Sequence, residues 1–386
     1  MAELATGATH ATLHGGALLV KQLAVEGVKR AFCIPGESYL AALDGFFDSS
    51  IDLVVCRHES GAAMMAEAHG KVTGKPGVAF VTRGPGATNA SAGVHVAFQD
   101  STPMVLFVGQ VAREQRDRGA FQEVDYRAMF GPLAKWVAEI DITDRIPEYV
   151  SRAFHVCQSG RPGPVVLALP EGMLSDHADV PVAPPSTRIL NEPSSIAIDS
   201  LVEALGEARR PLALVGGGGW TPEASDALAD FAAAWDIPVA TSFRRQDYMD
   251  NGAPHYAGDA GFWMSPALGQ RIKDADTLLV LGTRLGEAST KGYTVVDIPA
   301  PKQRLLQVNA DPDELGQVYR PDLAIAARSA LVVEALANRP PPGPIRWSQW
   351  RADARAAYEA YAVPSPTPGA VKMESIIKLL NAHMPA

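Results

Sequence analysis

Short, wholly apolar runs alternate with longer stretches whose apolar positions recur every three or four residues, and this alternation persists along most of the chain. In the first half the runs Ala31–Ile34, Leu53–Cys56, Gly77–Thr82, Met104–Gly109 and Val165–Leu169 predict strands. Between them the periodic stretches Gly16–Glu26, Ser38–Phe47, Gly61–Thr73, Ala87–Gln99 and Ile146–Ser159 predict helices. Strands that are apolar at every position, rather than at every second one, belong to a parallel sheet with both faces covered. From Ser175 to Ser195 the periodicity stops and Pro, Asp and Ser predominate, which marks a linker. A second series then begins with a helix over Ile198–Ala208, a strand over Leu212–Val215 and the run Gly216–Gly219. Thr221 reads as an N-cap with Pro222 at the first helical position, opening a helix through Trp235. Strands at Val239–Ser242, Thr277–Leu281 and Leu305–Val308 complete it.

The pattern predicts an α/β chain of two doubly wound parallel-sheet domains, the first over residues 1–185 and a Rossmann-like central one over 190–340. The text ANRPPPGP past Leu336 reads as a second linker, and the helix Met373–His383 follows it. A lone helix cannot bury its own apolar face, so residues 341–386 read as a linker and the first helix of a third, C-terminal domain that this chain lacks.

Composition narrows the class. A length of 386 residues exceeds one ordinary core, in keeping with two domains. Its 34 basic and 43 acidic residues are scattered and leave a net charge of −9, which argues against nucleic acid, whose phosphates demand a basic face. No apolar run approaches the roughly 18 residues of a membrane span. The opening MAELATGATHATLHGG has neither a basic nor an apolar segment of an export signal. Cys33, Cys56 and Cys157 are distant from one another and odd in number, so they read as small buried hydrophobes in a reducing cytoplasm.

Candidate chemistry concentrates between Val54 and Asp125. In VVCRHES, Glu59 stands where an apolar strand ends and an Ala-rich helix opens. One reading is a carboxylate favoured by the helix dipole; the other is a half-buried acid that shares a proton with a ligand nitrogen. In VAFVTRGPGATNASAG a strand feeds a Gly84–Pro85–Gly86 turn and then a helix opened by Ala87, Thr88 and Asn89, where backbone can approach a ligand closely. Asn89 can equally be a capping side chain. Beyond the strand in FQDSTPMVLFVGQV comes FQEVD, Phe121–Asp125, on a loop.

Taken together, RHE-x-x-A-x-x-M-A, T-x-GPGATN, D-S-x-P-(x)5-GQV and FQE-x-D resemble the pyrimidine-binding domain of thiamin-diphosphate enzymes, above all the acetolactate synthase large subunits. GRPGPVVLALPEG is similar to the last strand of that domain, and LVGGGG, DTLLVLGTRLGE and LLQVNADPDELG to the family's central domain. The resemblance covers nearly the whole chain in the right order. It implies thiamin-diphosphate-dependent decarboxylation of a 2-keto acid such as pyruvate with carboligation to a second carbonyl, as in branched-chain amino acid biosynthesis. It assigns Glu59 the contact to the cofactor's pyrimidine nitrogen. It places Pro35, Gly36, Glu37, Thr82, Gly84, Pro85, Gly86 and Asn89 around the cofactor, Gln122 at the reacting centre, and Phe121 and Lys135 on the substrate side. The text PGES, where acetolactate synthases commonly have PGGAS, adds Glu37, which reads equally as a helix-capping acid. Lys135 reads otherwise as a solvated charge.

Mg2+ is bound in the family by a GDG motif on the third domain; Gly258–Asp259–Ala260–Gly261 breaks that motif, so no metal ligand is assigned here and the chain alone is expected to be inactive. FAD is a family ligand, but LGTRLGE departs from the usual GxRFDDR, which weighs against it. The family also implies a homodimer or homotetramer and a regulatory small subunit. Rival readings keep the cofactor but change the reaction, to a 2-keto acid decarboxylase, a glyoxylate carboligase or a sulfoacetaldehyde acetyltransferase. A different class, a dinucleotide-binding oxidoreductase or binding module, is suggested by Gly216–Gly219. The GxGxxG fingerprint needs glycine at position 221, where Thr221 stands.

Overall fold

The computed structural model describes residues 12–365 and 367–384, so most of the opening segment in which no export signal is read lies outside the described residues. The chain divides into two compact units, residues 1–191 with 217–221 and residues 192–216 with 222–386.

In the first unit the order is β1 (Leu13–His14), α1 (Gly15–Val25), β2 (Arg30–Cys33), α2 (Leu40–Phe47), β3 (Asp52–Val55), α3 (Glu59–Thr73), β4 (Gly77–Val81) and α4 (Gly84–Asp100). There follow β5 (Met104–Gln110), α5 (Tyr126–Phe130), β6 (Trp136–Glu139), α6 (Ile146–Gln158), β7 (Pro164–Pro170), α7 (Glu171–Ser175) and β8 (His177–Ala178). Six strands form one parallel sheet in the order β3-β2-β4-β5-β7-β6, and the short β1 and β8 pair antiparallel outside it. Alternate residues of the strands feed two cores. On one face Phe80 and Phe107 stack 4.6 Å apart beneath Leu19, Leu23, Phe46 and Phe154 of α1, α2 and α6. On the other, Ala79, Val81, Leu106 and Val108 lie under the Ala-rich faces of α3 and α4.

The second unit runs α8 (Ser195–Gly206), β9 (Pro211–Val215), α9 (Pro222–Trp235), β10 (Val239–Ser242), β11 (Tyr256–Ala260), α10 (Pro266–Asp274), β12 (Thr277–Leu281), β13 (Arg304–Asn309), β14 (Leu323–Ala326), α11 (Ser329–Ala337), α12 (Ser348–Tyr361) and α13 (Met373–His383). Its six parallel strands take the order β11-β10-β9-β12-β13-β14, the doubly wound order of Rossmann sheets. Two doubly wound α/β sheets are thus present, as the apolar runs predict. The strands β6, β11 and β14 and the helices α10, α11 and α12 are absent from the sequence reading.

The helix α12 falls in the stretch read as a linker, and three tryptophans explain its place. Trp347 donates its ring N–H to the Trp235 carbonyl at 2.9 Å, Trp350 to Pro211 at 2.8 Å, and Trp235 to Arg339 at 2.8 Å. Arg355 spans the carbonyls of Asn251 and Ala253 at 2.8 Å each. By contrast, α13 buries none of its side chains. Among the described residues no helix is long and apolar enough to cross a membrane.

Asp236 links α12 to the end of α9: its Oδ1 accepts from Arg351 at 2.7 Å and lies 3.3 Å from His255 Nε2. Burial, followed by repulsion from Arg351, holds the His255 imidazole below its ordinary value, with Asp236 opposing. The folded state therefore binds the proton later than the unfolded one as pH falls, and stability drops below the ordinary imidazole value. The midpoint of thermal unfolding is expected to fall between about pH 7.5 and 5.5, and His255→Gln to flatten that slope. A slope unchanged by the substitution removes His255 as its source.

Candidate functional site

The order of the first sheet reverses between β2 and β4, and at such a switch point the loops beyond the strand C-termini leave a crevice. Pro35–Ser38 leaves β2 there, Thr82 and Arg83 leave β4, and His58 with Glu59 opens α3 after β3. Glu59 is the first residue of α3, whose N-cap His58 accepts the Ser60 amide hydrogen on Nδ1 at 3.2 Å. The dipole of α3 favours a carboxylate at that end.

The helix α4 starts at Gly84, not at Ala87, so the expected Gly84–Pro85–Gly86 turn is its first turn. Proline costs nothing there, because the amides of a first turn have no partner within the helix. Asn89, one turn on, donates from Nδ2 to Glu59 Oε2 at 2.9 Å. The other oxygen, Oε1, lies 3.6 Å from where a Cβ on Gly86 would stand. Such a Cβ would also come 2.9 Å from the Thr82 methyl, so glycine keeps open a small cradle bounded by Thr82 and the carboxylate.

The β2 loop packs into the same place. A Cβ on Gly36 would meet Thr82 Cβ at 2.6 Å, and Ser38 Oγ lies 2.9 Å from Thr82 Oγ1. Ser38 fills the space left by Gly109, where a Cβ would come 1.9 Å from its oxygen. Tyr39 is buried and donates to the Ile34 carbonyl; burial, then Cys33, then the nearby Glu59 charge push its hydroxyl far above the ordinary phenol range. Pro35 and Glu37 are exposed, Glu37 opening a single 3-10 turn.

The FQE loop reaches this corner by its backbone. Gly84 donates its amide to the Gln122 carbonyl at 3.1 Å, and Arg83 donates to the Phe121 carbonyl at 3.2 Å while pairing with Glu171. Gln122 has φ +65°, a left-handed backbone for a non-glycine residue. Phe121 is 77% exposed.

Lys135 does not join the cluster. It stands at the N-terminal edge of β6, the opposite edge of the sheet, and its ammonium donates to the Val156 carbonyl at 2.8 Å and to that of Ser159. It caps the C-terminus of α6, and is neither a solvated charge nor a neighbour of Glu59. Asp259, from the broken GDG text, lies on β11 of the second unit, its carboxyl raised by burial. Among the described residues no group of three or more His, Cys, Asp and Glu could hold a metal ion.

A carboxylate anchored by one oxygen and open at the other, beside glycine-lined backbone, suits a ring carrying an N–H donor. Residues 13–129 match the family model "Thiamine pyrophosphate enzyme, N-terminal TPP binding domain", and residues 198–336 match "Thiamine pyrophosphate enzyme, central domain". The chain belongs to the thiamine pyrophosphate enzymes.

Within that family it is 30% identical over 331 residues to a "Probable acetolactate synthase large subunit" of Methanocaldococcus jannaschii, covering 84% of this chain and 56% of the relative. It is 28% identical over 377 residues to the "Acetolactate synthase isozyme 2 large subunit" of Escherichia coli, covering 97% and 67%. It is 32% identical over 329 residues to an "Acetolactate synthase, catabolic" of Raoultella terrigena, covering 84% and 58%. The chain thus spans a little over half to two thirds of the length of these relatives.

Sequence reading missed Arg83 and Gly109, which with Ser38 of the quoted PGES text shape the crevice without touching its centre. Gly109 lies inside the quoted GQV motif, and that motif was the available signal.

The meeting of Glu59 with Asn89 depends on how closely α3 and α4 pack. A Cβ on Gly93 would come 2.5 Å from the Ala63 Cβ and 2.7 Å from its backbone carbonyl carbon. Alanine is the better helix former by about 1 kcal/mol, whereas overpacking costs about 1–3 kcal/mol, so the clash wins. Gly93→Ala is expected to destabilise the fold in denaturant titrations. Gly61→Ala, on α3 with nothing within 4 Å of the new Cβ, should be neutral or stabilising. Equal effects of the two substitutions would contradict the close packing.

Proposed function

We propose that this chain is the cofactor-activating part of an acetolactate synthase-like enzyme, which decarboxylates a pyruvate-like 2-keto acid and ligates the acyl unit to a second carbonyl. The observation that carries the proposal is the Glu59 carboxylate, tied to Asn89 at 2.9 Å and open at Oε1 beside Gly86. Bound thiamin diphosphate supplies the carbanion chemistry at the acyl carbon. Glu59 would take the hydrogen bond from the pyrimidine ring and hold its proton, while Asn89 keeps the carboxylate from rotating away. Pro35, Gly36, Thr82, Gly84, Pro85 and Gly86 would bound the ring, and their lack of bulk lets it approach the backbone. Glu37 stands at the mouth as a second carboxylate. Gln122 would face the substrate carbonyl, with Phe121 on the exposed substrate side.

Residues 1–185 act in this reading as the pyrimidine-binding domain and 190–340 as the central domain. No residue of this chain is assigned to Mg2+, which would be held by residues outside those described. FAD is not part of the proposal, because LGTRLGE departs from the usual GxRFDDR. Thr221, where the GxGxxG fingerprint needs glycine, disfavours the dinucleotide-binding alternative. The three free cysteines fit a cytoplasmic setting.

The acetolactate synthase reading separates from a simple decarboxylase by product: pyruvate should yield acetolactate in excess over free aldehyde. Glu59→Gln in the active holoenzyme is expected to slow exchange of the cofactor's C2 hydrogen by about 10²–10⁴-fold, the usual scale of acid–base assistance. Exchange within a few-fold of wild type would remove Glu59 from the role.

The outer face of α3 and the end of β3 support an assembly. Met65 is 47% and Val72 86% exposed on α3, and Val55 is 62% exposed at the end of β3, next to the Glu59 crevice. Apolar side chains exposed along α3 and at the end of β3 support an interface there. The proposal is a homodimer or homotetramer through the Glu59–Gln99 region, burying about 2,000 Å² or more, with a small regulatory partner in keeping with the relatives' name "large subunit". Sedimentation equilibrium at tens of micromolar should give at least a dimer, and Val72→Glu should weaken it; a wild-type monomer refutes the interface.

A further inference from the structure

The segment between β5 and α5 crosses the C-terminal edge of the sheet as an arch, with a cavity of about 590 Å³ beneath it lined by Gln110, Arg116, Glu123, Tyr126 and Glu139. Its backbone is demanding: Asp117 has φ +60° and Gln122 φ +65°, both left-handed without being glycine. Non-glycine residues stay in that region only where the surroundings over-determine them.

Three polar groups supply that constraint. Glu123 turns its carboxylate back to accept the amide hydrogens of Asp117 at 2.7 Å and Ala120 at 3.1 Å. Gln110, the last residue of β5 and 2% exposed, accepts the Val111 amide on Oε1 at 2.9 Å and donates from Nε2 to the Val124 carbonyl at 2.9 Å. The same Nε2 lies 3.4 Å from Glu139 Oε2. Glu139, at the end of β6, pairs with Arg116 from the near limb of the arch, and Arg116 also binds Asp141. A continuous path thus runs Arg116–Glu139–Gln110–Val124, from one limb of the arch to the other, with Gln122 between its ends.

We propose that Glu139, through Arg116 and Gln110, is a positioning residue that holds Gln122 in its left-handed place and thereby sets the balance between carboligation and release of free aldehyde. The inference rests on the functional reading above, but its first step concerns only this chain's own loop. Burial holds the Glu139 carboxyl above the usual carboxylate range against the opposing pull of Arg116, and Asp141 adds to the rise. A half-buried acid kept beside one arginine and one amide is held at a cost, which fits a group retained for geometry.

The test uses Glu139→Gln, which keeps an acceptor near Gln110 but removes the ion pair. Hydrogen exchange of the Asp117, Ala120 and Val111 amides in the wild-type chain and the variant reads the arch directly and should quicken about tenfold or more. In the holoenzyme with pyruvate, the share of carboligated product should fall several-fold and KM should rise, with cofactor affinity unchanged. Arg116→Gln should reproduce both effects, and the double variant should be no worse than either single one, because the two residues act as one pair. If Glu139→Gln does not fold, Arg116→Gln carries the same two readouts. Unchanged exchange overturns the proposal. Quickened exchange with an unaltered product ratio overturns it too, leaving only a structural clasp. A wild-type holoenzyme that makes no acetolactate sinks the functional reading instead, and the exchange measurement still decides whether Glu139 holds the arch.

Discussion

The first unit is organised around the contact between α3 and α4 at Ala63 and Gly93, where a single added methyl group would collide with the neighbouring backbone. Helices with ordinary side chains pack with their axes about 8–10 Å apart, and small residues allow the near end of that range. The same economy recurs on the sheet side: a Cβ on Gly77 of β4 would fall 1.8 Å from the Ala66 carbonyl oxygen of α3, and one on Gly70 2.4 Å from that of Pro103. The alanine-rich face of these helices is therefore a requirement of their seat on the sheet. Because α3 and α4 are locked this closely, their N-termini converge, and Glu59 and Asn89 meet without any loop having to bring them together. The N-terminal ends of both helices thus face one spot, with their positive dipole ends toward it.

The second unit has the same kind of sheet with a different outcome at the equivalent place. Its order reverses between β9 and β12, and glycines stand after both strands. Yet Gly216 is met by Ser242 and Thr283, and a Cβ on Gly282 would come 2.4 Å from the Gly216 carbonyl oxygen. Here glycine serves backbone-to-backbone packing, whereas at Gly86 it leaves space beside a charged side chain. A shared fold thus says little about a shared site, and the difference lies in which atoms face each glycine.

The contrast also explains what could be read from the sequence. Wholly buried strands such as Val78–Val81, Val105–Val108 and Leu278–Leu281 announce themselves as unbroken apolar runs. The strands β6 and β14 lie at the edges of their sheets, are four residues long and carry exposed or half-exposed positions, so their pattern is too short to separate from a loop. The helix α12 has one fully buried position, Ala354, in a polar text, and is held by tryptophan N–H donors whose partners lie far away in the chain. At the site, Glu59, Gly86 and Asn89 were legible because they sit within contiguous motifs. The role of Lys135 was not, since a charge in LAKWV shows no sign of the helix end it reaches across the sheet. Glu139 was silent for the same reason: its partners, Gln110 and Arg116, come from other elements.

The two sides of the crevice are built to different specifications. On one side, Glu59 and Asn89 are placed by helices seated in a close-packed core, where any shift is resisted by many contacts at once. On the other side, Gln122 is placed by an arch with little core of its own, fixed by a handful of polar pins around a strained backbone. A change that moves the first must disturb the core of the unit, so the Glu59–Asn89 geometry is bound to folding itself. A change in one pin moves the second while the sheet beneath stays intact, because the pins are local and the arch lies at the surface. Under the proposed function, a change in one pin alters substrate choice while the hold of Glu59 and Asn89 on the cofactor's ring stays constant.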